Sequence, residues 1–364
     1  MHRDSTHTSG TPAWKNLVAD GLYRTGILHA FHKFGRSYEI AASGTETGRL
    51  RKVQKAKYMV LGYHRVGTEG PPFYSTLPRA AFAAQMRYIK RNYRVISVSQ
   101  MAKELGDPDL QGRAIVVTFD DGYGDLFSEA FPILRDYEIP ATIYLAGQAI
   151  ETGELLWYDG IFLRLQYAGN ILNVMLDRPY TFLLDSKTAR LVAAEKIVTY
   201  LRSIPDDERR AWCAAFEKLV PVPRHTLRGS MLTWDEIRQM HRAGITFGAH
   251  TMTHPVMSRL LPEAQRDEIS QSKRLVEQRL DTAVNEFAFP FGKVRDCGTA
   301  AASTLKQLGF LTALTTIVGI NEPGSSLLRL RRVVINNDTS ISKFALQLQR
   351  LFFHPVDEEL SAVV

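Results

Sequence analysis

The amino-acid sequence predicts an α/β fold built on a mainly parallel sheet, either open or closed into a barrel. Two features carry that prediction. From Tyr58 onward, short β-branched apolar runs alternate with segments of helical periodicity, and repeated strand–helix units of this kind form a sheet with helices on its faces. Polar clusters follow several of the runs directly, and the carboxyl ends of parallel strands are where such folds gather their ligands.

The elements follow in order. Met1 to Pro12 is polar and reads as a tail. Trp14, Leu17, Val18, Leu22, Leu28, Phe31 and Phe34 recur with helical spacing, with Arg24, Lys33 and Arg36 between them. This predicts an amphipathic helical arm, suited to docking on the main domain or to lying on a membrane surface. Residues 40–56 read as a charged linker. Tyr58–Gly62 is a predicted strand ending at Tyr63–His64, Phe82–Lys90 a helix and Tyr93–Ser97 a strand. Ala114–Phe119 (AIVVTF) is a strand of the fully buried type. A helix over Asp125–Tyr137, broken by Pro132, leads to a strand at Thr142–Leu145. Residues 150–230 read as a mostly helical insertion. Strands at Ile245–Ala249 and Phe287–Phe289 flank a helix over Pro262–Leu280, and Leu311–Thr315 is the last clear strand. The expected division is an arm and linker over 1–56, a barrel over 57–340, and a helix and tail over 341–364.

Composition bounds the partners. An apolar content of 45% across 364 residues suits a globular core, and one α/β barrel of about 250 residues plus an arm and an insertion accounts for the length. The net charge of +7 favours anionic surfaces without naming one. No zinc-finger spacing or RNA-binding aromatic signature accompanies it, so nucleic acid is not an expected partner. Cys213 and Cys297 lie far apart and suggest no disulfide framework. No apolar run of secretory type follows the N-terminal tail, and none approaches the roughly 20 residues that span a bilayer. The expected location is therefore cytoplasmic, with the arm offering peripheral contact at the inner membrane face.

Three clusters carry chemistry. Thr118-Phe119-Asp120-Asp121-Gly122-Tyr123 puts two carboxylates after a buried strand, although Asp-Asp-Gly alone also suits a plain turn. His250-Thr251-Met252-Thr253-His254-Pro255 follows another strand. Imidazoles four apart can share a metal if the backbone turns helically, and two histidines with one carboxylate form a recurrent catalytic ligand set. Phe287-Ala288-Phe289-Pro290-Phe291-Gly292 is a strand end followed by an aromatic turn.

In this order and at these strand ends, TFDDGY, HTMTHP and FPFG resemble the first three motifs of the polysaccharide deacetylase family, carbohydrate esterase family 4 (the NodB-homology domain). The resemblance covers roughly Tyr58 to Ile335 and implies a distorted (β/α)7 barrel with the helical arm and insertion as additions. It implies that Asp121, His250 and His254 bind a divalent metal, with Zn²⁺ expected ahead of Co²⁺ or Ni²⁺. Asp120 would be the general base toward a water acidified by that cation, and the backbone N–H of Tyr123 would help hold the oxyanion. Pro290, Phe291 and Gly292 would contact the substrate, an N-acetylated saccharide or glycolipid. Two positions depart from the pattern. Ala288 stands where the family usually carries an arginine that steadies the base, and the late arginine Arg332 is the expected replacement, with Arg329 and Arg331 equally basic neighbours. The family's late acid histidine is not visible after Leu311. Gly62-Tyr63-His64-Arg65-Val66 resembles an early strand that supplies it in members with permuted motifs, which makes His64 the expected general acid and His354 the alternative. The implied function is hydrolysis of N-acetyl groups from an N-acetylhexosamine-containing carbohydrate. A deformylase or other amidohydrolase on the same barrel, and an inactive carbohydrate-binding member, are the competing readings.

Overall fold

A computed structural model describes residues 55–67, 76–227, 230–298, 300–335 and 340–353. The expected arm over Trp14–Phe34 and the candidate His354 lie outside the described residues. The described residues from Lys55 to Ile335 form one compact unit, and a helix over Ile341–Phe353 belongs to another.

The first two long strands, β1 (Lys57–Tyr63) and β2 (Arg113–Phe119), pair in parallel through seven register positions. Each is buried from its second residue onward, as expected when both faces of a strand are covered. The sheet continues through β3 (Ala141–Leu145), β4 (Thr246–Ala249), β5 (Glu286–Ala288) and β6 (Thr312–Leu314), all parallel. The seventh strand, β7 (Val333–Val334), pairs with β1 in parallel.

One short segment closes the ring. Leu330 N–H donates to Ala313 O on β6, and Ile335 N–H donates to Gly62 O on β1, each at 2.9 Å. The chain from Leu330 to Ile335 therefore joins β6 to β1, and the result is a distorted parallel barrel with seven strands around the ring and an eighth, Arg94–Val95, paired with β2 outside it. Helices connect the strands, among them α1 (Arg79–Asn92), α2 (Val98–Glu104) and the long α3 (Pro262–Leu280).

Some elements differ from the sequence reading. The strand expected over Tyr93–Ser97 shrinks to Arg94–Val95, because Ser97 Oγ accepts Gln100 N–H at 3.1 Å and starts α2. Pro132 sits at the start of a helix over Phe131–Asp136, where its missing N–H costs nothing, behind a wide turn at Leu126–Ala130. The insertion is helical apart from an antiparallel hairpin, Ile171–Met175 with Pro179–Leu183. Its alternating burial places Leu172 and Val174 inward and exposes Ile171 and Met175. That apolar mixture hides its period of two among the neighbouring helices.

Candidate active site

Asp120 and Asp121 leave the carboxyl end of β2. Gly122 N–H donates to Asp120 O at 2.9 Å, closing a three-residue turn around Asp121, which takes a left-handed φ of 73°. Turns of this kind are rare and strained in L-residues. Gly122 is itself at φ 85°, and a Cβ there would lie 2.8 Å from Leu145 Cδ2.

Asp120 is claimed by Arg332. Nη1 and Nη2 donate to Oδ1 and Oδ2 at 2.6 Å each, and Nε donates to Thr315 O at 3.1 Å. Arg332 comes from the closing segment and is fully buried. Its side chain passes over Gly62 of β1, where a Cβ would approach Arg332 Cδ to 3.0 Å. Of the three neighbouring arginines, this is the one paired with Asp120. Burial pushes the Asp120 carboxyl up, but the Arg332 guanidinium, helped by His250, outweighs it and holds the group below its usual value. Ala288 lies in the core, and its carbonyl accepts a hydrogen bond from His250 Nδ1–H at 2.8 Å. His64, just beyond β1, places Nε2 3.9 Å from Asp120 Oδ2. Burial lowers the His64 pKa, and attraction to Asp121 and Asp120 recovers only part of the drop.

The second half of the site faces Asp121. His250 Nε2 and His254 Nε2 lie 3.5 and 3.3 Å from Asp121 Oδ1, and one ligand atom from each of the three residues lies within 4.8 Å of the others. With Nδ1–H committed to the Ala288 carbonyl, Nε2 is the His250 ring nitrogen turned toward the carboxylate. Asp121 Oδ1 is buried and has no hydrogen-bond donor. A buried carboxylate oxygen without a hydrogen-bond donor and two converging imidazole nitrogens are the ligand set a divalent cation requires, so these residues fit such a cation. Burial pushes the Asp121 carboxyl up, and the two imidazoles outweigh it and hold it well below its usual range. Among the imidazoles, burial lowers His254, whereas attraction to Asp120 and Asp121 overcomes burial and raises His250.

The histidines converge without a helical turn. Thr251 and His254 adopt left-handed φ of 65° and 54°, and Glu268 of α3 accepts Met252 N–H, Thr253 N–H and the Thr253 hydroxyl at 2.7, 2.9 and 2.7 Å. Phe291 forms a further tight turn, with φ 59° and Gly292 N–H donating to Pro290 O at 2.6 Å. Its ring packs 4.9 Å from His254 and 6.2 Å from Trp157. Tyr123 is buried and donates its hydroxyl to Asp159 Oδ2 at 2.7 Å, while Arg65 covers its ring at 4.9 Å. Burial pushes Asp159 up to about 7.

Sequence reasoning passed over Tyr158, Asp159 and Glu268. Tyr158 O–H donates to Asp121 Oδ2 at 3.1 Å, and Trp157 Nε1–H donates to His254 O at 3.0 Å. Trp157-Tyr158-Asp159 carries a local signal, two aromatics and an acid opening a helix, but nothing in it announces a partner so far along the chain.

A buried carboxylate held ionised beside a residue set that fits a divalent cation, at the carboxyl-end mouth of a parallel barrel, is an arrangement suited to metal-assisted hydrolysis. The chain belongs to the polysaccharide deacetylase family, whose profile matches residues 107–312. It is 20% identical over 319 residues to YxkH of Bacillus subtilis (strain 168), a protein assigned by name to the polysaccharide deacetylases, covering 87% of this chain and 85% of that one. It is 23% identical over 294 residues to the poly-β-1,6-N-acetyl-D-glucosamine N-deacetylase of Escherichia coli (strain K12), covering 80% of this chain but only 38% of that longer protein. Among solved structures, the Streptococcus pyogenes deacetylase PplD in complex with acetate superposes with a TM-score of 0.56 at 19% identity, over 82% of this chain and 99% of that one. IcaB from Ammonifex degensii superposes with a TM-score of 0.53 at 20% identity, over 81% and 98%. At these identities the structural likeness establishes the shared fold.

Proposed function

We propose that this protein hydrolyses the acetamide of N-acetylhexosamine units in a poly- or oligosaccharide, releasing acetate and leaving a free amine. The observation that carries the reading is the pairing of Asp120 with Arg332 directly beside the Asp121–His250–His254 cluster. A carbohydrate-binding barrel without activity would have no use for a buried base kept ionised at such cost.

Asp121, His250 and His254 would hold the cation, and two imidazoles with a carboxylate favour zinc, with cobalt or nickel as alternatives. Such a cation, when bound, acidifies water and draws the negative charge that develops on a carbonyl oxygen. Arg332 keeps Asp120 ionised and pointed, so Asp120 accepts a proton from the attacking water. The water oxygen bonds to the carbonyl carbon and the C–N bond breaks. The departing nitrogen needs a proton, and His64 is placed to deliver it. Burial disfavours the His64 imidazolium, and Asp120, 3.9 Å away, would be the group that passes a proton to it. The backbone at Tyr123 would support the oxyanion. Phe291, with Pro290, Gly292 and Trp157, would form an apolar wall for the sugar.

Relatives named as poly-β-1,6-N-acetyl-D-glucosamine N-deacetylases support that polymer as the first to test. Acetate release should be measured from N-acetylated oligosaccharides and glycolipids, with and without a chelator. Release that survives complete metal removal, or no release from any member of the panel, overturns the reading. The positive net charge and the apolar stripe over Trp14–Phe34 support peripheral contact with anionic lipid. Vesicle co-sedimentation of the full chain against a chain lacking residues 1–40 tests that contact.

A further inference from the structure

Three consecutive residues of the insertion, at the start of the helix Trp157–Tyr167, touch the motifs that bear the site. Trp157 donates its indole N–H to the carbonyl of His254 at 3.0 Å. Tyr158 donates its hydroxyl to Asp121 Oδ2 at 3.1 Å. Asp159 accepts the hydroxyl of Tyr123 at 2.7 Å. Successive helical side chains point about 100° apart, so three in a row reach one site only if the helix meets it end-on. Tyr158 and Asp159 are 0% and 2% exposed. The Tyr158 ring also packs edge-on against His254 at 5.2 Å and lies 6.1 Å from Phe291.

Each contact answers a physical need. A carboxylate can turn about its Cβ–Cγ bond, and a donor fixed on one oxygen decides where the other points. With Tyr158 on Oδ2, Asp121 Oδ1 is directed at the two imidazoles. His254 sits in a left-handed conformation that is uncommon for residues other than glycine, so its loop needs support from outside, and the Trp157 indole supplies it at the His254 carbonyl. Asp159 anchors Tyr123, two residues beyond Asp121.

We infer that the Trp157-Tyr158-Asp159 helix start is the positioning element of the metal-ligand half of the site, with Tyr158 orienting Asp121 and Trp157 holding the His254 loop. The insertion is then part of the catalytic construction. This inference rests on the metal-dependent reading proposed above and assigns a new role within it.

The test is metal binding rather than turnover. The full-length protein, stripped of metal, is titrated with Zn²⁺ and with Co²⁺, the latter followed by its visible absorption. Tyr158→Phe keeps the ring and removes only the hydroxyl. It should weaken both ions roughly ten- to hundred-fold and alter the cobalt spectrum, while thermal unfolding of the metal-free form stays close to that of the parent. Trp157→Phe should weaken binding by a smaller factor, and it keeps the test decisive if Tyr158→Phe does not fold. Trp212→Phe, in the same insertion but bonded to Met175 O of the hairpin, should bind both ions like the parent. A Tyr158→Phe protein that binds both ions within a factor of about two of the parent, with an unchanged cobalt spectrum, overturns the inference alone. A parent that binds neither ion overturns it together with the metal-dependent reading.

Discussion

Asp120 and Asp121 are chain neighbours, equally buried, yet their surroundings are opposite. Asp120 has both oxygens filled by one guanidinium. Asp121 has one oxygen on Tyr158 and the other turned toward two imidazole nitrogens with no donor on it. The strained turn between them parts the two side chains. One half of the mouth is thus a completed ion pair inside the barrel, which keeps its carboxylate charged. The other half brings together a carboxylate oxygen and two imidazole nitrogens that fit a cation. Division of labour between adjacent carboxylates depends on the environment each enters, since the side chains are chemically the same.

The largest expected effect lies on the cation side. His254→Ala should lose metal and turnover together, with elemental analysis as the measurement; metal content equal to the parent would dissolve the contrast between the halves. Asp120→Asn should do the reverse, keeping metal while turnover falls about 10² to 10⁴-fold. A variant within a factor of about two of the parent removes Asp120 from proton transfer.

Arg332→Gln tests why Asp120 stays charged. Removing one partner of a buried pair costs about 3–5 kcal/mol, to be read by urea unfolding. The sign of the pH effect follows from the depressed Asp120 pKa. In the parent, the pair's contribution to stability is present above the unfolded carboxylate value, about 3.9, and is lost as pH falls through the lower folded value. Without the guanidinium, burial acts with less opposition and the Asp120 pKa rises, so the acidic limb of kcat/KM should move to higher pH. An unmoved limb would show that Arg332 is not what keeps the base ionised. The smallest of the four effects is expected at His64, where His64→Ala should lower turnover at least about tenfold with metal content unchanged. Full activity in that variant would leave proton delivery to another group.

Much of this was legible one residue type at a time. Strands such as Ala114–Phe119 announce themselves because a strand covered on both faces must be apolar throughout, and the three motifs stand directly after such runs. The cues for Asp120, Asp121, His250 and His254 are likewise local. Tyr158 was not legible, because an aromatic residue near a helix start looks the same whether it fills a core or donates to a carboxylate. The HTMTHP motif pointed to two imidazoles that the structure does bring together, but not to the backbone that does it: a helical turn is the simplest way, whereas two left-handed residues stapled by Glu268 do so instead.

By itself, the sequence determined the parallel α/β class, the order of the strands and the residue types at their ends, since burial period and turn chemistry act over a few residues. Through the family resemblance it also offered Arg332 as a substitute for the arginine missing at Ala288, beside the equally basic neighbours Arg329 and Arg331. Only the closed barrel distinguished among the three. The segment from Leu330 to Ile335 lies between β6 and β1, Gly62 makes room for one side chain, and the Arg332 guanidinium meets a carboxylate 212 positions earlier in the chain. A charge pair needs proximity within a few ångströms in a dry interior, and that proximity is set by which strands adjoin when the ring closes.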